Sequence, residues 1–394
     1  MRKIFFLISL FGVIFSANAD SSKIIKLVSS LPRTGSANAQ TGSMVNGIKM
    51  AIEDSGGKVG DFKIVYEDWD DASPERGQWD PAVEAANADK AISDPDIMAY
   101  IGTYNSGAAK ISMPKLNQAG LLMISPGNTW PGLTKKGIGE PSEPMVYRPS
   151  GKVTYFRVVT TDDMQGPMAA RWAKEMEIKK VFILNDRELY GQGIAKLFEK
   201  EAKQIGLDVV GSEGIDPKAS NFRSLVTKIR QKNPDLVYFG GTTQTGAGQL
   251  AKDLKVGGVK AKLMGPDGCY EQAFIISAGA QNLNDSTFVT FGGLPVSELP
   301  GKGKEFYESY KKKYNSEPES YAAYSYEAAS VVLDAIKRAG KKDRKTIIDE
   351  VAATKDFAGV LGTWSFDENG DTTAKIISGI AVKDGKFEFV KSLQ

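Results

Sequence analysis

Carboxylates, hydroxyls and the free amides of glycine-rich turns are the groups in this chain that can do chemistry. Five turns carry them: Gly102-Thr-Tyr-Asn-Ser-Gly107, Ser125-Pro-Gly-Asn-Thr129, Tyr190-Gly-Gln-Gly193, Gly240-Gly-Thr-Thr243 and Gly265-Pro-Asp-Gly268. In an open α/β sheet such turns stand beyond the carboxyl ends of the strands, where ligands sit. Helices that start there offer unpaired N–H groups and a positive dipole end, which suit a carboxylate. One such turn alone is ordinary turn chemistry. Five, each in register with a strand, point to a binding cleft.

Most other chemistry is missing. The 394 residues include no histidine and one cysteine, Cys269. An imidazole relay, a zinc site of Cys and His, and an intrachain disulfide are therefore excluded. No metal or cofactor is expected, and no catalytic residue is assigned.

Three motifs fail on their spacing. Gly246-Ala-Gly-Gln-Leu-Ala251 begins seven residues after Phe239, too late for the tight turn of a dinucleotide site. Gly241 and Gly246 have phosphate-loop spacing, but Ala247-Gly248 stand where Lys and Ser/Thr are needed. Asp367, Asn369 and Asp371 start like a calcium loop, but Thr372 and Ser378 occupy its Gly and Glu positions. A turn at Asn369-Gly370 is expected there instead. Glu67, Asp68, Asp70 and Asp71 read as a solvated strand-end loop. Paired carboxylates could serve a hydrolase of the glycosidase type, the rival reading from another class; it gains weight if two of them face each other across the cleft.

The N-terminus reads as a secretory signal. Arg2 and Lys3 precede a mostly apolar run over 4–15, then Ser16-Ala17-Asn18-Ala19 with cleavage expected after Ala19. The apolar run is short for a membrane span. Without Arg2 and Lys3 the 50 basic side chains become 48, against 48 acidic ones. A neutral mature chain argues against a nucleic-acid partner.

The elements that must hold the turns follow a rhythm. Buried strands are expected at 24–29, 62–66, 97–101 and 121–124, with helices at 44–54, 82–93 and 108–118 between them. The pattern restarts at 155–159, followed by strands at 181–185, 209–211, 236–239 and 262–264, and helices at 167–176, 194–205, 222–231 and 247–254. Two such runs imply two α/β lobes with mainly parallel sheets flanked by helices. Further helices are expected at 303–314, 321–339 and 344–353, then a hairpin of 376–382 and 386–390 turning at Asp384-Gly385. The Gly-, Pro- and charge-rich stretch 135–152 reads as a surface insertion.

Asp163-Met-Gln-Gly-Pro167, Leu189-Tyr-Gly-Gln-Gly193, Val237-Tyr-Phe-Gly-Gly241 and Met264-Gly-Pro-Asp-Gly268 together resemble the periplasmic leucine/isoleucine/valine-binding proteins of ABC importers. The resemblance covers nearly the whole chain beyond the signal. It implies a two-lobed type I periplasmic-binding fold with three hinge crossings, near 156–159, 288–292 and 360–363. The lobes would comprise 20–157 with 291–360, and 158–290 with 361–394. It implies a monomeric periplasmic shuttle that takes a free amino acid to a membrane permease. Carried over by position, Ser106, Gly127 and Thr129 would hold the ligand carboxylate. Asp267 would receive its ammonium, and Tyr190 would cover it.

Departures from the family pattern bear on the ligand. Gln40 stands near an aromatic position, Thr242 replaces a tyrosine, and Asp267 is shorter than the usual glutamate. Tyr104, Trp130 and Tyr270 flank the contacts and would shape the side-chain pocket. The rival ligand is an amide or urea; it would leave the Asp267 carboxylate unpaired.

Overall fold

The computed structural model describes residues 21–393, so the signal-peptide reading lies outside the described residues. Two sheets organise them. In the first, β1 (Ile24–Leu31) lies between β2 (Phe62–Asp70) and β3 (Ile97–Gly102), followed by β4 (Leu122–Ser125) and β5 (Tyr155–Arg157). These five run parallel, and a short strand, Lys58–Val59, adds antiparallel to the edge. In the second, β6 (Lys180–Asn185) lies between β7 (Asp208–Gly214) and β8 (Leu236–Gly240), followed by β9 (Lys262–Gly265) and β10 (Thr287–Phe291). A hairpin of β11 (Ile377–Lys383) and β12 (Lys386–Leu393) closes that edge antiparallel. Both sheets thus share one strand order, with the order reversing at β1/β3 and at β6/β8. Such reversals are where crevices open in α/β folds.

Burial explains the strands. In β6, Val181 to Leu184 are all 0% exposed, as a strand covered on both faces requires. The covering helices are α1 (Asn38–Asp54), α2 (Pro81–Ser93), α3 (Ser106–Gln118), α4 (Asp162–Glu175), α5 (Leu189–Gln204), α6 (Arg223–Lys232), α7 (Ala247–Val256), α8 (Gln272–Ala278), α9 (Lys302–Tyr314), α10 (Ala322–Ala339) and α11 (Arg344–Ala352). The alanine-rich α10 packs closely on α1, where a Cβ on Gly47 would stand 2.2 Å from the Ala322 carbonyl oxygen. On α6, Phe222, Val226 and Ile229 are buried while Arg223, Lys228 and Arg230 are exposed. Asn233, in the left-handed conformation at φ 45°, ends that helix.

Several expectations shift. The segment 288–292 lies mostly in β10, so the second crossing between the sheets follows Phe291. The residues 357–364 form a small hairpin of their own, and the third crossing comes after Trp364. The acidic cluster is not a solvated loop. Glu67, Asp68 and Asp70 lie within β2, and Asp71 is 0% exposed. They are tied down by partners: Arg33 meets Asp68 at 3.1 Å, and Thr34 Oγ1 donates to Asp70 at 2.7 Å. Gly370 N donates to the Asp367 carbonyl at 3.0 Å, closing the turn expected at Asn369-Gly370. The 135–152 insertion is anchored by Glu143, buried between Trp130 Nε1 at 3.2 Å and the Tyr147 hydroxyl at 2.5 Å.

Candidate functional site

The carboxyl ends of the two sheets face each other, and the expected turns meet there. Tyr104, Asn105, Ser106 and Gly127 come from the loops after β3 and β4. Tyr190, Thr242, Asp267 and Gly268 come from those after β6, β8 and β9. Between them remains room for a water centre over only about 20 Å³. That is about one water molecule, so an amino-acid-sized ligand enters only if the walls separate.

The first wall is built to offer donors. Ser106 opens α3, and its Oγ accepts from the Trp130 amide at 3.3 Å. The loop carrying Gly127 and Thr129 is clamped from behind by Arg157, which is 0% exposed. Arg157 donates to the Asn128 and Trp130 carbonyls at 3.1 and 2.8 Å, and pairs with Asp371 at 2.6 Å. Its remaining nitrogen donates to Thr134 Oγ1 at 2.5 Å. The Thr129 hydroxyl is buried and has no hydrogen-bond partner.

The second wall carries carboxylates. Asp267 follows β9 and is buried. Its Oδ1 accepts from the Tyr190 hydroxyl at 2.6 Å and from Gln165 Nε2; its Oδ2 accepts from the Tyr321 hydroxyl at 2.5 Å. Burial raises its pKa, and these three donors pull the other way. Asp162, in the first turn of α4, is 0% exposed, and its carboxyl faces the Thr129 hydroxyl of the first wall without a well-formed hydrogen bond. Burial pushes its pKa well up, and the charge of Asp267 pushes it further.

The walls touch at several points. The Tyr321–Asp267 bond is one. Asn105 Nδ2 donates to Gln244 Oε1 at 3.1 Å. Arg76 meets Glu188 at 3.4 Å. The Trp130 ring lies so close to α5 that a Cβ on Gly193 would stand 2.2 Å from its Cζ3.

Eight of the ten expected site residues therefore gather here. Six line the space: Ser106, Gly127, Asp267, Tyr190, Tyr104 and Thr242. Thr129 and Trp130 stand immediately behind it. Gln40 is 0% exposed and braces the site instead: its Nε2 donates to Ser320 Oγ at 2.7 Å, and its Oε1 accepts the Tyr321 amide at 3.2 Å. Tyr270 points elsewhere, packing edge-on against Phe291 and Phe387 beside a separate groove. Asp162, Gln165 and Tyr321 were missed. The only sequence signal for the first two is their place in the run after Thr161, where polar groups open a helix.

The hydrolase reading would gain weight from two carboxylates facing each other across the cleft. Asp162 and Asp267 both stand on the second wall, facing hydroxyls and amides on the first. Among the described residues no group of His, Cys, Asp and Glu is arranged to hold a metal ion, and no helix is long and apolar enough to cross a membrane.

Known proteins share this fold. Residues 24–385 match the family described as Periplasmic binding protein. The chain is 28% identical to the leucine-, isoleucine-, valine-, threonine- and alanine-binding protein of Pseudomonas aeruginosa, over 91% of this chain and 89% of that one. Among solved structures it is similar to the leucine binding protein LivK of Thermotoga maritima, with TM-score 0.82 and 25% identity over 94% and 99% of the two chains. It is also similar to LivJ of Streptococcus pneumoniae in complex with isoleucine, with TM-score 0.80 and 27% identity over 94% and 100%. With a match that spans nearly all the described residues, the chain belongs to the periplasmic binding protein family.

Proposed function

We propose that this protein is the solute-binding component of an ABC importer and captures a free amino acid between its two walls. Its lobes are 20–157 with 291–360, and 158–290 with 361–394. It leaves the cytoplasm on the signal cleaved after Ala19 and works in the periplasm as a monomer that meets a membrane permease. Ser106, Gly127 and Thr129 hold the ligand carboxylate; Asp267 and Asp162 receive its ammonium; Tyr190 and Trp130 close over it.

The observation that carries this reading is the polarity of the cleft. Donors on one wall face carboxylates on the other, which is the complement of a zwitterion. The relatives named for leucine, isoleucine and valine support the same class. Asp267 alone does not decide against a neutral ligand, because three protein donors already satisfy it. Asp162 favours the ammonium, since a neutral ligand leaves its buried carboxyl with the Thr129 hydroxyl alone beside it.

A thermal-shift screen of amino acids, amides, urea and small acids tests the reading. A ligand at about 100 times its Kd adds roughly 2.7 kcal/mol of stability. Stabilisation by amides or urea alone would replace this reading with the neutral-ligand one.

A further inference from the structure

The cleft has a second chamber. Beside the space between Ser106 and Asp267 lies another of about 10 Å³. The two share Asn105, Ser106, Tyr190 and Thr242, so they are one cleft pinched between the closed walls. Gln78 and Trp79 line the second chamber alone; they belong to a short hairpin in which Ala72–Ser73 pairs with Gln78–Trp79. Trp79 is fixed against the first turn of α3, where a Cβ on Gly107 would stand 2.5 Å from its Cζ2.

The open polar groups of this chamber are amides. Gln78 is 7% exposed, and its Oε1 is buried without a hydrogen-bond partner. Its amide nitrogen is turned toward the Glu188 carboxylate, so the oxygen is the open end. Asn105 Nδ2 donates to Gln244 Oε1 at 3.1 Å, and that single bond leaves Asn105 Oδ1 and Gln244 Nε2 both buried and unpartnered. The carboxylates of the chamber are already answered. Asp186 accepts from the Thr245 hydroxyl at 2.9 Å and from the Glu188 amide at 3.0 Å, and Glu188 meets Arg76 at 3.4 Å. An aliphatic ligand side chain would leave the three open amide atoms unpaired, at a cost of desolvation. A carboxylate there would face two oxygens, and a cation would find its carboxylates taken.

We infer that the ligand is an amino acid with a carboxamide side chain, of the glutamine or asparagine class, seated in this second chamber. This rests on the amino-acid reading above. The ligand's carboxylate and ammonium stay at Ser106 and Asp267, and its side chain runs past Tyr190 along Trp79. The carboxamide nitrogen donates to Gln78 Oε1 and Asn105 Oδ1, and its oxygen accepts from Gln244 Nε2. A site built to hydrogen-bond a polar group rejects an analogue that lacks it, because its own buried groups are then left unpaired.

Calorimetry with glutamine, asparagine, glutamate, lysine and leucine tests this. The expected result is binding of glutamine or asparagine at least about ten-fold tighter than leucine or glutamate. Gln78→Met, which keeps the length of the side chain and removes the acceptor, should reduce the preference for glutamine over leucine by about ten-fold or more. Asn105→Leu should move the same ratio in the same direction. If leucine binds as tightly as glutamine and asparagine, the chamber does not read the side chain, and the inference is overturned while the amino-acid reading stands. Lysine binding tightest of the five overturns the carboxamide class in the same way. If no amino acid binds, the amino-acid reading itself fails.

Discussion

The Tyr321 hydroxyl reaches across the cleft and donates to Asp267 Oδ2 at 2.5 Å. Tyr321 precedes α10 beside the first sheet, and Asp267 follows β9 of the second. The closed arrangement is thus held at the ligand site by a bond between the walls. A ligand must insert at that contact, and its ammonium then adds to a carboxylate already oriented by three donors.

Asp162 is the residue whose replacement separates binding from stability. Asp162→Asn keeps the shape and removes the acid that a ligand ammonium would draw into its charged form. The ligand loses a charge-assisted bond of about 1.5–3 kcal/mol, so affinity falls about 10- to 150-fold. The free protein should unfold at an equal or higher temperature, because burial already disfavours the charged form of this carboxyl and no ion pair is lost. Calorimetry and thermal unfolding of the one variant give both answers. An unchanged Kd would remove Asp162 from the site.

Gly193→Ala should block closure. The new Cβ would stand 2.2 Å from Trp130 Cζ3, so the walls stop short. Affinity should fall at least about ten-fold. The helix itself gains, since alanine in a helix interior is favoured over glycine by roughly 0.5–1 kcal/mol. Titration beside a melting curve checks the pair of effects, and parent-like affinity would mean that Trp130 does not close on α5.

Asp371→Ala should cost about 3–5 kcal/mol, because it leaves the Arg157 guanidinium charged and unpaired in the interior. Arg157 also holds the Asn128 and Trp130 carbonyls, so ligand affinity should fall with stability. Urea denaturation measures the first effect. A loss below about 1 kcal/mol would show that the clamp does not depend on the pair.

Stability of the free protein should fall as the pH rises from about 5 to about 8. Burial pushes Glu84 and Asp186 up to about 7 and Glu271 up to about 8. Across that window the unfolded chain has lost these protons while the folded chain still binds them. The unfolding free energy therefore drops, then levels off above the folded values. Denaturation at pH 5, 6.5 and 8 follows the trend, and Glu84→Gln should flatten it. A stability that climbs over this range would contradict the assignment.

The sheets were legible because their strands are buried on both faces and read as short apolar runs. The helices that open on the cleft read late. Periodicity began at 44, 108, 167 and 194, whereas the helices begin at Asn38, Ser106, Asp162 and Leu189. Their first turns face the cleft or brace it with polar groups, which breaks the apolar period. Asp162 was hidden for a related reason: an acid at a helix start normally reads as a complement to the dipole. Tyr321 meets Asp267 across 54 residues of chain, a distance no local pattern reports. Tyr270 was misleading because it adjoins Cys269 in sequence while its ring turns toward Phe387.

The most direct test removes each end of the ligand in turn. Calorimetry would compare the tightest amino acid of the screen with its decarboxylated amine and its deaminated acid. Each analogue leaves one wall facing nothing, at a cost of about 2–5 kcal/mol. Both should therefore bind about 30-fold to several thousand-fold more weakly than the zwitterion. If either analogue binds as tightly as the amino acid, the cleft is not built for a zwitterion, and the assignment of donors to one wall and carboxylates to the other is contradicted.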